Sequence, residues 1–139
     1  YGAAKTAMIG LMNVLKQEGA KYNVNVNTVA PVAGTRLTQT VMPAEMVERL
    51  KPEFVVPAVT WMVSKECQDS GIIIEAGAGN FNRASIVKGP GVQPGMAELK
   101  DAEWIQANWD KIMSLEGAEP MWRSGQTLKD YLASKAAQG

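Results

Sequence analysis

The sequence has no histidine and a single cysteine, Cys67, in 139 residues. Without histidine there is no Ser-His-Asp triad and no His-ligated metal centre, and no metal site is expected. One cysteine cannot close an internal disulfide, which fits a reducing compartment. Charge of one sign is lacking too: 14 Lys and Arg balance 14 Asp and Glu, for a formal net charge of zero. That balance gives no reason to expect nucleic acid or a membrane surface as a partner. No apolar run reaches the length of a bilayer, and no secretory leader pattern is found. Repeats and low-complexity tracts are missing as well. What remains is a chain of one-domain length, whose 46% hydrophobic residues suit a folded protein.

Tyr-Gly-Ala-Ala-Lys, the first five residues, opens a stretch of helical periodicity. Ala4, Met8, Leu11, Met12 and Leu15 share one face, Ile9 and Val14 widen it, and Gly19 is a natural stop. The pattern predicts a helix over 3–18. Tyr1 and Lys5 then lie one turn apart on one side. An ammonium ion beside a phenol favours the phenolate, so the pair is a candidate general acid/base. Gly2, Ala3 and Ala4 leave room for a ligand against the helix. Taken alone the pentapeptide is a weak signal, because Tyr-x-x-x-Lys occurs by chance on many helices.

Residues 23–30 alternate Asn with Val, Thr and Ala and predict a strand ended by Pro31. A loop containing Gly34 follows. Pro43 can open a short helix, and Pro52 another that runs to about Glu66. Pro57 requires that second helix to start near it or to bend. Its apolar positions are Val55, Val59, Met62 and Val63. Three consecutive isoleucines between Gly71 and Gly77 predict a buried parallel strand over 71–76. Residues 23–76 thus read as one strand-helix-strand unit with parallel strands. After Asn80 the character changes. A Gly- and Pro-rich loop covers 87–95, Asp101 is placed to cap a helix through about Leu115, and Ser124 to cap a last one. Trp104 and Trp109 are read as packing anchors rather than a cofactor box.

Tyr1-x-x-x-Lys5 on a helix, Asn-Thr-Val-Ala-Pro ending a strand, a Thr-containing loop, and Glu-Ala-Gly-Ala-Gly after the next strand follow one another in a fixed order. That order resembles the C-terminal half of a short-chain dehydrogenase/reductase. The stretches 27–43 and 51–64, and the tail 102–118, are similar to the (3R)-hydroxyacyl-CoA dehydrogenase group within that family. The resemblance implies an α/β fold: the C-terminal part of a Rossmann-type, doubly wound parallel sheet over 1–80, with a helical extension over 81–139. It implies that Tyr1 exchanges a proton with the substrate oxygen, and that Lys5 supports it and holds the nicotinamide ribose. Pro31 would begin the loop along the nicotinamide, with Ala33, Gly34, Thr35 and Thr38 as candidate carboxamide and pyrophosphate contacts. Most of the family has glycine directly after that proline, where this chain has Val32.

The family's Gly-rich phosphate loop and catalytic serine precede the tyrosine, and no GxGxxG or GxxxGxG stands in this sequence. The expectation is therefore a C-terminal fragment of an NAD- or NADP-dependent oxidoreductase, whose parent acts on 3-hydroxyacyl-CoA or a similar secondary alcohol. The chain alone is expected to bind no cofactor and to show no turnover. The alternative is a non-catalytic remnant or oligomerising module. Uncovered apolar surface predicts a homo-oligomer, formed through the helix at 3–18, the strand at 71–76 or both. The expected location is cytoplasmic, or peroxisomal for a eukaryotic source, although the sequence ends in Ala-Ala-Gln-Gly and not in an SKL-type signal.

Overall fold

In the computed structural model, which describes residues 1–34, 40–95 and 100–121, the leading amphipathic run is helix α1, Gly2–Gly19. Its first backbone bond runs from Lys5 N–H to the Tyr1 carbonyl, 3.0 Å. A 3₁₀ turn, Ala20–Tyr22, continues it. Asn23 then takes φ 57°, a left-handed conformation that asparagine tolerates, and ends the helical path.

The first strand is β1, Thr28–Val32, several residues later than the alternation suggests. The asparagines of 23–27 explain the shift, since their side chains bond across to residues 67–72 instead of leaving a plain backbone ladder. Asn25 Nδ2 donates to the Cys67 carbonyl at 3.4 Å. Asn27 Nδ2 donates to the Asp69 carbonyl at 2.9 Å, while its Oδ1 accepts from Ile72 N–H at 3.2 Å. The Ser70 hydroxyl accepts from Val26 N–H at 3.0 Å.

Pro31 does not end the strand but lies within it. Thr28 N–H points at β2, donating to the Ile72 carbonyl. Groups alternate along a strand, so the nitrogen of Pro31 faces the other edge, where its missing N–H costs no bond to β2.

Between the strands lie helix α2, Ala44–Arg49, a 3₁₀ turn at Pro52–Phe54, and helix α3, Val56–Met62. Pro57 stands in the first turn of α3, so the helix starts at the proline as expected. Strand β2, Ile73–Gly77, is parallel to β1, from Thr28 opposite Ile73 to Val32 opposite Gly77. The parallel strand-helix-strand unit is present.

A third strand follows that sequence reading missed. β3, Asn80–Ala84, runs antiparallel to β2 through a two-residue turn at Ala78 and Gly79, with φ 50° and 78°. Positive φ at both turn residues suits a tight hairpin. The sheet order is β1-β2-β3. β2 is therefore paired on both edges, which removes the strand at 71–76 as an edge for association. Met12, Val55, Cys67, Ile73 and Ala76 form the buried core. Met12 is the buried residue of α1, a contribution of about 1.5–3 kcal/mol.

Residues 1–84 form one compact unit and 85–139 a second. In the second, a two-residue strand β4, Val87–Lys88, pairs antiparallel with β5, Glu119–Pro120. This small ladder corrects the expectation of a purely helical extension. The helix expected from Asp101 to Leu115 is divided at Asn108 into α4, Ala102–Ala107, and α5, Trp109–Met113. Asp101 caps α4 as expected, its carboxylate accepting from Trp104 N–H at 2.8 Å. The helix expected from Ser124 lies outside the described residues.

Candidate functional site

α1 brings Tyr1 and Lys5 together. The Lys5 ammonium sits 5.3 Å from the centroid of the Tyr1 ring, within cation–π range. The phenol itself is 94% exposed, so it is free to meet a ligand. Helical spacing alone generates this pair, because a residue and the one four further on stack on one side.

Pro31 and Val32 stand opposite Ala76 and Gly77 at the carboxyl ends of the two parallel strands, where open α/β sheets place their ligands. The backbones approach closely here. A Cβ on Gly77 would clash with the Val32 carbonyl oxygen. Val32, which replaces the family's usual glycine, is part of β1 and not of the loop.

Pro31 and Ala33 line a cavity of about 330 Å³ with Pro52, Val55, Val59 and Thr60. Its walls are almost wholly apolar, and neither Tyr1 nor Lys5 lines it. Periodicity marks Val55 and Val59 as apolar helix positions; the structure buries Val55 and leaves Val59 facing this space. A groove of about 380 Å³ lies between α2 and the β2–β3 turn, lined by Pro43, Glu45, Met46, Arg49, Leu50 and Ala78. The family resemblance implies that the segment from about Leu37 to Leu50, which contains Met46, covers the substrate; sequence reading assigned no role to Ala78. The available signal was the Gly-Ala-Gly run before Asn80, which marks a turn at the end of β2. Arg49 and Glu45 on that wall pair with each other at 3.4 Å.

Gly34 is in place after β1, but its N–H donates to the Leu50 carbonyl. Thr35 and Thr38 lie outside the described residues. Among the described residues, no group of three or more Cys, Asp or Glu side chains could hold a metal, and no helix is long and apolar enough to cross a membrane.

For a nicotinamide dinucleotide, Tyr1 and Lys5 would offer a hydroxyl and an ammonium, and Pro31 and Ala33 an apolar wall, but Tyr1 and Lys5 do not line the cavity that Pro31 and Ala33 line. Among the described residues no Gly-rich turn between a strand and a helix cradles a pyrophosphate.

No family model matches the chain. A short-chain type dehydrogenase/reductase of Mycobacterium tuberculosis is 39% identical over 119 residues, covering 86% of this chain and 41% of that protein. Peroxisomal multifunctional enzyme type 2 of Mus musculus is 39% identical over 85% of this chain and 16% of its own length. Among solved structures, full-length peroxisomal multifunctional enzyme type 2 from Drosophila melanogaster superposes with TM-score 0.78 and 26% identity. That match covers 99% of this chain and 25% of that one. A short-chain dehydrogenase from Mycobacterium avium gives TM-score 0.61 and 27% identity over 86% of this chain and 38% of its own. The chain thus spans about two fifths or less of the length of these relatives. Its α/β fold is that of part of a Rossmann-type domain. Over most of its length the chain is a homologue of the short-chain dehydrogenases/reductases, with the peroxisomal multifunctional enzymes among its relatives.

Proposed function

We propose that this chain is the tyrosine-bearing part of an NAD(P)-dependent short-chain oxidoreductase that acts on a 3-hydroxyacyl thioester or a similar secondary alcohol. The observation that carries the reading is the Tyr1–Lys5 pair on α1, 5.3 Å apart, leading into a parallel β1–β2 sheet. In this reading Tyr1 Oη gives a proton to, or takes one from, the substrate oxygen. Lys5 Nζ, held beside the Tyr1 ring, hydrogen-bonds the ribose hydroxyls. The bound nicotinamide supplies or accepts the hydride. The site works in cytoplasm or peroxisome, the latter suggested by the peroxisomal relatives.

The test titrates this chain with NAD(H) and NADP(H) by calorimetry, where no micromolar binding is expected, and assays turnover of 3-hydroxyacyl-CoA in the parent oxidoreductase of which it is the tyrosine-bearing part. Turnover that Tyr1→Phe lowers by about 100-fold or more establishes the acid/base role. Turnover unchanged in Tyr1→Phe overturns it.

A second reading is a non-catalytic module that self-associates. It is favoured by the outer face of α1, where Met8, Leu11, Val14 and Leu15 remain 41–50% exposed. Cofactor binding absent together with a dimer in light scattering at micromolar concentration selects this reading. A monomer rejects it.

A further inference from the structure

Gly34 follows β1, where the family resemblance led us to expect a cofactor contact, but its donor is already committed. Its N–H bonds the Leu50 carbonyl. A Cβ at this position would lie 3.2 Å from Val47 Cγ1 and 3.3 Å from the carbonyl oxygens of Val47 and Leu50. The missing side chain is thus what allows the end of α2 to sit against the loop.

The partner group explains why the bond matters. The last carbonyls of a helix have no acceptor role inside it and need a donor from elsewhere. Leu50 is the residue that ends α2, its own N–H bonding Val47 O at 3.0 Å. Gly34 therefore supplies a donor to the end of α2 from outside the helix and ties that end to the carboxyl terminus of β1. The tie reaches the groove, because Leu50 is one of its walls, together with Met46 on α2 and Ala78 at the β2–β3 turn.

We propose that Gly34 is a positioning residue: it anchors the C-terminal end of α2 to the end of β1 and so fixes the groove between α2 and the β2–β3 turn, rather than donating to a cofactor. Its relevance to catalysis rests on the function proposed above, whereas its geometry does not.

The experiment uses the full 139-residue chain. In amide hydrogen exchange the Gly34 amide should exchange about tenfold or more slowly than an unstructured glycine, although it lies outside any strand. In Gly34→Ala the amides of Val47 and Leu50 should exchange about tenfold faster, while that of Thr28 in β1 holds its rate. Methionine-methyl NMR supplies the signature that a general loss of stability would not give: the Met46 methyl shifts and the buried Met12 methyl does not. A Gly34 amide that exchanges at the unstructured rate overturns the proposal. So do Met12 and Met46 moving together. Should Gly34→Ala not fold, the wild-type exchange rate decides. Turnover of the parent enzyme that is unchanged by Tyr1→Phe defeats the proposed function and leaves the exchange and methyl tests intact.

Discussion

Replacing Gly77 by alanine should damage the sheet more than any other single methyl group added to a glycine of the first unit. The added Cβ would overlap the Val32 carbonyl oxygen and stand 2.8 Å from its carbonyl carbon and Cβ. Real Cβ atoms stay beyond 3.0 Å, so strand β1 has to retreat by about 1 Å at its end. The struck atoms are backbone in a paired strand and cannot rotate away. Overpacking of this kind costs about 1–3 kcal/mol, and a weakened ladder bond adds about 0.5–1.5. The stiffer unfolded chain returns about 0.4–1 kcal/mol. The net expectation is a loss of about 2–3 kcal/mol. In a unit of this size that lowers the melting temperature by roughly 10 °C or more. Urea unfolding followed by circular dichroism measures it. Two other glycines calibrate the reasoning, because a Cβ on either has nothing within 4 Å. Gly10→Ala, inside α1, should stabilise by about 0.5–1 kcal/mol. Gly79→Ala, at φ 78°, should cost about 1–2 kcal/mol from backbone strain alone. A Gly77→Ala variant that loses less than about 0.5 kcal/mol, or ranks above Gly79→Ala, refutes the close approach.

Asn27→Ala removes both the donor to Asp69 and the acceptor for Ile72 N–H, and should cost about 1–3 kcal/mol in the same urea assay. Asp101→Ala leaves Trp104 N–H without its cap and should lower the stability of α4 by about 1 kcal/mol, read as lost helical circular dichroism. Glu48 raises the Lys51 pKa above its ordinary 10.5, first by the side-chain hydrogen bond at 2.6 Å and then by its charge. A raised lysine favours the folded state below its unfolded pKa and loses that contribution as pH climbs through the folded one. The support at the end of α2 should therefore persist to about pH 10.5 and fade above it, and Glu48→Gln should lower the Lys51 titration followed by NMR.

The helix α1 was legible because its signal is local. Eighteen residues without proline and with apolar side chains on one side leave little competition for the helical period. The parallel pair was legible for a similar reason, since consecutive isoleucines between glycines suit a strand paired on both edges. The start of β1 was not. Alternation of asparagine and valine looks the same whether asparagine faces solvent or bonds to another segment. Here Asn27 reaches Asp69 and Ile72, contacts more than 40 residues away in sequence that no local window contains. β3 was missed because all five of its residues are exposed, so burial wrote no alternation into them.

The candidate site divides along the same line. Tyr1 and Lys5 meet because of helix geometry, and five letters of sequence were enough to expect it. Gly34 was found as a position but not as an interaction. The sequence says that glycine is needed after β1, and a ligand approaching the backbone or a helix packed on it would both require that. Deciding between them needs the location of the Leu50 carbonyl, which depends on how α2 returns to the sheet. The same ambiguity holds for Gly77, where close approach comes from strand β1 itself. A glycine at the end of a parallel strand therefore signals a close neighbour without naming it. In this chain both such neighbours are protein atoms, so among the proposed dinucleotide contacts the side chains of Tyr1 and Lys5 keep the strongest physical support.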